Sequence, residues 1–201
     1  TMELVDPLEK SDWDNMLREA GDTSFFHSAA WARTLCASYG YKPAYLVGKG
    51  RDSLDMIMPV MIVSSPWTGT RGVSLPFTDS CEPFCRDERI LPEAVDRVLN
   101  IGRKSGWRHV EWRGLGRFAI DVPPSETFLT HAIDLARDES ALFAGLDESN
   151  RRNIRKAGRE KLEVRLSQKE EFLGPFFRLN CLTRRRHGLP PQPYAFVRNV
   201  F

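Results

Sequence analysis

The chain has 201 residues, 28% of them charged and 41% hydrophobic, with 12 Phe and 5 Trp. That is enough apolar material for a core and too little polar bias for a disordered chain. No apolar run approaches the roughly 18 to 20 residues of a membrane-spanning helix, and the first residues carry neither a basic start nor an apolar signal-peptide region, so the expected compartment is the cytoplasm. The net charge of +2 hides an asymmetry. From Ser149 to Phe201 there are 13 Lys/Arg against 4 Asp/Glu, whereas the preceding residues hold 16 against 23. A basic back half points to an anionic ligand such as a phosphate, a nucleotide or a nucleic acid.

In chain order, Ser11 to Ala20 is predicted as a helix capped by Ser11, with Trp13, Met16 and Leu17 on one face. A second helix is expected over Phe26 to Ser38 and ends at Gly40. Strands are expected at Pro43 to Gly48, at Ser53 to Val63 and at Thr70 to Pro76. The second is apolar throughout, and its Pro59 argues for an edge position or a bulge. Pro92 to Ser105 has the periodicity of a helix with Val95, Val98 and Leu99 inward. Trp107 to Arg113 and Phe128 to Leu135 read as strands. After Ala136 come a short helix over Asp138 to Leu146, a basic helix over Glu148 to Arg159, and a strand over Leu162 to Leu166. A long helix over Lys169 to His187 follows, and another begins at Pro193. The chain stops inside that last apolar run with no cap, Gly stop or polar tail, so a continuation is expected. The order of elements gives a mixed α/β (α+β) fold with a largely antiparallel sheet flanked by helices.

The cysteines are Cys36, Cys81, Cys85 and Cys181. Cys81 and Cys85 are spaced like half a zinc site, but no matching second pair exists, so no metal is expected and the thiols read as buried or redox-silent. There is no phosphate-cradling glycine loop, no nucleophile elbow and no Gln/Arg-x-x-Gly-x-Gly/Ala pyrophosphate turn. Trp31, Trp107 and Trp112 read as core or sheet-face residues.

The basic helix places Arg152, Arg155, Lys156 and Arg159 on one face. Like charges so arranged cost a few tenths of a kcal/mol per pair unless an anion neutralises them. Arg184, Arg185 and Arg186 precede the His187-Gly188 stop. Cations there complement the helix dipole, and three in a row exceed what that requires. His27, His109, His131 and His187 are the histidine candidates for a general base, His187 first because it adjoins the arginines. Asp79, after Ser74-Leu-Pro-Phe-Thr, either binds an acceptor amine or hydroxyl or stabilises a turn.

Four segments together resemble a known superfamily: Phe26-His27 with Trp31, Ser74 to Asp79, Arg151 to Ala157, and Thr183 to Pro193. They resemble the FemAB-like branch of the GNAT acyltransferase fold, which includes peptidoglycan-bridge aminoacyltransferases and bacterial exopolysaccharide- and cellulose-associated acetyltransferases. The resemblance implies a two-lobed protein of twin GNAT-like domains. Residues 1–136 would be the first lobe, and 137–201 a basic helical segment with one short strand leading into a second lobe. It implies transfer from acyl-CoA or aminoacyl-tRNA to an amine or hydroxyl acceptor in cell-envelope or exopolysaccharide biosynthesis, with no bound cofactor. A nucleotide-linked sugar and tRNA are the anionic partners it suggests. By the same resemblance Arg186 contacts the diphosphate-linked precursor. The lysine that assists it in the bridge-forming enzymes falls near Leu35, with Arg33 the nearest cation, so the acceptor is expected to differ. Two other functions fit the residues: a non-catalytic RNA- or phosphate-binding module, and a degenerate GNAT lobe that scaffolds a partner.

Overall fold

The structure is a computed structural model that describes residues 2–50, 54–78, 81–115, 118, 122–160 and 162–201. Its strands are β1 (Met2–Val5), β2 (Lys42–Pro43), β3 (Tyr45–Lys49), β4 (Leu54–Met58), β5 (Met61–Ser65), β6 (Gly69–Val73), β7 (Phe84–Cys85) and β8 (Val110–Glu111). Its α-helices are α1 (Trp13–Ala20), α2 (Ala29–Tyr39), α3 (Leu91–Lys104), α4 (Glu139–Gly145), α5 (Glu148–Arg159), α6 (Leu173–Arg186) and α7 (Tyr194–Val200). By contacts the chain divides into two units, 1–122 with 170–201, and Pro123–Lys169.

In the first unit two four-stranded sheets run in the orders β1-β3-β4-β7 and β2-β5-β6-β8, antiparallel throughout except for the parallel β6–β8 pair. The sheets are two arms of one bent hairpin. Lys42 faces Ile62 and Pro43 faces Met61 in one arm, and Leu46 faces Met58 in the other. Ala44 carries the same register through the corner, its N–H donating to the Val60 carbonyl at 2.8 Å. The long apolar run is therefore two strands, not one. Pro59 lies at the corner where the chain leaves one sheet for the other, and both β4 and β5 are interior strands. A residue without an N–H fits where the ladder is broken by the bend, which supplants the expectation of an edge strand.

Apart from Leu54, which lies beyond the register shift at Gly48/Lys49, the hairpin alternates between two cores. Tyr45, Val47, Ile57, Met61 and Val63 face Trp13, Leu17, Trp31 and Leu35 of α1 and α2. Leu46, Met56, Met58 and Val60 face Leu91, Ala94, Val95 and Val98 of α3. This is the two-residue period of a sheet covered on both faces. Trp107 wedges between α3 and β6: a Cβ at Gly72 would lie 2.4 Å from its ring, and one at Gly102 would lie 2.9 Å from it.

Ser11 does not cap α1. Asp12 takes that position without a side-chain bond, and Asp14 instead accepts from the Ala29 N–H at 3.0 Å, tying α1 to the start of α2. The expected second helix begins as a 3-10 turn over Phe25–His27, then restarts at Ala29 under a Ser28 cap and ends at Gly40, whose φ of 69° is left-handed. α7 lies along α2. Thr34 Oγ1 donates to the Asn199 carbonyl at 3.3 Å, and Asn199 Nδ2 donates to Ser38 Oγ at 3.0 Å.

In the second unit α4 and α5 each start on an aspartate cap, Asp138 Oδ1 accepting from Ala141 N–H and Asp147 Oδ1 from Asn150 N–H, both at 2.9 Å. The strands expected at Phe128 to Leu135 and Leu162 to Leu166 do not form. Both segments are irregular and exposed, because no described neighbour offers them a ladder.

Candidate functional site

β6 ends in a turn that departs from ordinary backbone geometry. Leu75 and Phe77 have φ of 57° and 63°, the left-handed region that side chains with a Cβ avoid, and they flank Pro76. Such strain persists only where surroundings over-determine it. Arg113 supplies most of the restraint. Its N–H donates to Ser74 Oγ at 2.8 Å and its Nη1 donates to the Thr78 carbonyl at 2.9 Å, while its Nε is paired with Glu111 Oε1 at 2.8 Å. Ser74 N–H donates to the Glu111 carbonyl and Thr78 Oγ1 to the Leu75 carbonyl, each at 2.8 Å. Leu75 is thereby fully buried, while Phe77 remains 40% exposed.

Phe77 stands in a row of aromatic rings. It stacks on Tyr39 with centroids 4.7 Å apart, and Tyr39 stacks on Tyr41 at 5.2 Å. Phe196 of α7 meets Tyr39, Phe77 and Trp31 at 5.5, 5.4 and 6.2 Å, and Trp31 continues the row to Phe26 and Phe25. Two polar atoms in this row, Trp31 Nε1 and the Tyr39 hydroxyl oxygen, are buried and have no hydrogen-bond partner among the described residues. A buried polar group left without a partner costs free energy until a ligand or water meets it. Burial raises the Tyr39 phenol above its ordinary pKa, a shift the nearby Arg184 charge opposes.

Arg184, Arg185 and Arg186 form the last turn of α6. Leu189 N–H donates to the Arg184 carbonyl at 2.9 Å and Gly188 N–H to the Arg185 carbonyl at 3.1 Å, with Gly188 at φ 68°. This pair of bonds is a Schellman stop, and His187 is its C-cap rather than a member of the helix. Arg184 is held by its Nε donating to the Pro190 carbonyl at 2.7 Å. Arg185 and Arg186 are exposed and have no acidic partner among the described residues. Arg152, Arg155 and Lys156 belong to the second unit. All three are exposed on α5, with the Arg155 guanidinium 5.3 Å from the Phe143 ring centroid. The two basic clusters thus stand on different units. Asp79 lies outside the described residues.

The histidines separate clearly. His27 is buried, its Nδ1 accepting from Ser24 N–H at 3.1 Å and its Nε2 lying 2.9 Å from the Glu82 carbonyl. The tautomer with the proton on Nε2 satisfies both. Its carbonyl accepts from Trp13 Nε1 at 2.9 Å. Burial pushes its pKa down against the opposing pull of those backbone bonds, so it is a neutral clamp between α1, α2 and the β7 region. His109, His131 and His187 are exposed. Leu35 is fully buried in the core, and Arg33 faces solvent. Cys81 is buried with its thiol pushed up to about 12, and Cys85 Sγ donates to the Asp87 carbonyl at 2.9 Å.

Sequence reasoning found the arginine triplet and the Ser74–Asp79 segment, which contains Phe77, but missed Tyr39, Tyr41, Phe196 and Arg113. One local signal existed: two tyrosines flanking the helix-ending Gly40. The rest of the row is assembled from residues far apart in the chain. Among the described residues no helix is long and apolar enough to cross a membrane, and no cluster of three His, Cys, Asp or Glu could hold a metal ion. Comparison with protein-family models and with curated proteins finds no match for this chain.

Proposed function

We propose that this protein is an acyl- or aminoacyltransferase of FemAB-like GNAT type that binds an anionic substrate between the α6 arginines and the aromatic row. The observation that carries this reading is the docking of α7 on α2. It brings Phe196 against Tyr39 and Phe77, and the Arg184 charge is close enough to the Tyr39 phenol to pull its pKa down against burial. Stacking faces, buried donors without partners and a guanidinium at one place suit a ligand with a planar or saccharide ring and a phosphate or carboxylate. Arg186 and Arg185, exposed beside Arg184, extend the positive field. In the reaction the acceptor amine or hydroxyl attacks the acyl carbonyl of acyl-CoA or aminoacyl-tRNA, a base takes its proton, and the thiol or tRNA hydroxyl leaves. His187 and Asp79 are the candidates for that base. The role in cell-envelope or exopolysaccharide biosynthesis, and the cytoplasmic setting, belong to the same proposal.

The test is product formation. The protein is incubated with acetyl-CoA, longer acyl-CoAs or aminoacyl-tRNA together with amine- and hydroxyl-bearing nucleotide-linked sugars, and acylated acceptor is sought by mass spectrometry. Acylated product that is lost in Arg186→Ala supports the reading. Absence of product and of binding for every donor and acceptor sinks it.

One observation favours a second reading. Arg152, Arg155 and Lys156 project from α5 without acidic partners among the described residues, as a phosphate-binding helix of an RNA-binding module would. That reading requires RNA affinity that falls steeply with salt and is lost on neutralising those three residues.

A further inference from the structure

β5 and β6 form a hairpin whose ladder runs from Met61 opposite Val73 to Ser65 opposite Gly69. At the Gly69 end Pro66, Trp67 and Thr68 make the turn, and Gly69 closes it at a left-handed φ of 75°. The turn is pinned. The N–H groups of Trp67 and Thr68 donate to Ser65 Oγ at 3.2 and 3.4 Å, and Ser64 Oγ lies 3.0 Å from Thr70 Oγ1. Trp67 is nevertheless 91% exposed. The fold thus holds a large apolar ring in water, where it adds nothing to either core.

Cations stand behind the ring. Arg71 Nη1 donates to Thr68 Oγ1 at 3.0 Å, and Arg108 lies against Gly69, where a Cβ would come 2.6 Å from its Nε. Trp107, wedged between Gly72 and Gly102, ties the last turn of α3 to the same strand, and that turn carries Arg103 and Lys104. None of these four cations has an acidic partner among the described residues. No Asp or Glu occurs in 64–72 or 98–109, although the first 148 residues hold 23 acidic side chains against 16 Lys/Arg. The tip is a basic island in the acidic part of the chain. It is also remote from the proposed substrate site: Phe77 follows Val73, at the opposite end of the hairpin, and Phe196 of α7 meets it there.

We propose that this hairpin tip attaches the protein to the surface of an anionic phospholipid bilayer. Trp67 inserts at headgroup level, and Arg71, Arg103, Lys104 and Arg108 meet the lipid phosphates. Tryptophan favours that level because its ring is apolar and its indole N–H polar. One apolar group alone binds weakly, and a basic patch beside it supplies the second signal that attachment needs. Ser64, Ser65, Pro66 and Thr68 are uncharged, so nothing in the turn opposes insertion. A single-strand nucleic-acid site aligns several rings for successive bases, whereas Trp67 projects alone.

Co-sedimentation with vesicles tests this, using phosphatidylcholine alone and an equal mixture with phosphatidylglycerol. The expected result is binding to the mixture that weakens with salt, and little binding to the neutral vesicles. Trp67→Ser and the double variant Lys104→Gln with Arg108→Gln are each expected to weaken it at least tenfold, with circular dichroism and Tm unchanged. Trp67→Phe keeps part of the affinity but loses the quenching of tryptophan fluorescence by brominated lipid, which places the residue in the bilayer. Failure to bind the anionic vesicles overturns the proposal, as does binding indifferent to Trp67. Trp67-dependent binding of RNA without binding of vesicles overturns it too. The assay is repeated on the two-lobed protein that the proposed function implies. Binding by this chain but not by that protein also overturns the proposal, because a second lobe then covers the tip.

Discussion

Arg113 donates through Nη1 to the carbonyl oxygen of Thr78 at 2.9 Å, and this bond closes the turn in which Leu75 and Phe77 both sit at positive φ. The same residue bonds Ser74 Oγ through its backbone N–H, so one arginine grips both ends of the strained segment. Arg113→Gln removes the charge-assisted bonds to Thr78 and Glu111 and is expected to lower stability by about 1 to 2 kcal/mol. Phe77→Gly is expected to act differently. Glycine relieves the backbone strain, which offsets part of the lost stacking, so Tm should change by only a few degrees while ligand affinity falls at least tenfold. Thermal denaturation and a binding titration on the same preparations separate the two effects. An intact affinity in Phe77→Gly would remove the aromatic row from the site.

His27 sets a pH dependence. Its pKa in the folded protein lies below the ordinary value of 6.5, chiefly because burial disfavours the charged ring. Between the folded and unfolded values the unfolded chain binds more protons, so stability rises with pH in that window. The His27 contribution is complete above the unfolded pKa and is lost as pH falls from about 6.5 toward the folded value. Urea denaturation at pH 7.5 and 5.5 should show a loss at the lower pH. His27→Gln should be less stable at pH 7.5 and nearly flat between the two, whereas an equal loss in the variant would place the titrating group elsewhere.

Gly72 is defined by Trp107. A Cβ there would lie 2.4 Å from the indole ring, a rigid group already wedged against Gly102 of α3. Gly72→Ala is expected to destabilise the protein by about 1 to 3 kcal/mol, the usual cost of overpacking. The tryptophan near-ultraviolet circular dichroism should change with it. Neutral behaviour of this variant would mean that the β6–α3 contact is looser than described.

At Gly188 the surroundings are open but the φ of 68° is left-handed. Gly188→Ala is therefore expected to cost about 1 kcal/mol through the backbone alone, and to fray the Arg184–Arg186 turn. Asparagine, which tolerates this conformation, should recover part of the loss. The check is Tm of the two variants side by side.

The sequence revealed most where the signal is local. α5 could be read over Glu148 to Arg159 because aspartate capping and helix-forming residues are contiguous there, and Gly40 and Gly188 end their helices as their chemistry dictates. β1, β7 and β8 were missed or overlong because strands of two to four residues are set by their partners, not by their own periodicity. Pro59 was legible as a disruption, but only the Ala44–Val60 bond shows that it marks a corner. Leu162 to Leu166 has the pattern of a strand and no ladder, since period two states a preference that a neighbour must satisfy. The arginines of the candidate site were found as a run. The aromatic row was not, because Tyr39, Phe77 and Phe196 meet only after α7 docks on α2.

The most direct test of the substrate-binding claim is a calorimetric titration of this chain with acetyl-CoA and with a nucleotide-linked sugar. It would compare wild type with Arg184→Ala, Arg186→Ala, Phe77→Gly and, as a control on the other unit, Lys156→Ala. The account predicts saturable binding of at least one of these ligands, weakened at least tenfold by each of the first three substitutions and little changed by the fourth. Binding indifferent to Arg184, Arg186 and Phe77, or no binding of either ligand beside tight salt-sensitive binding of RNA that Lys156→Ala weakens, would contradict it.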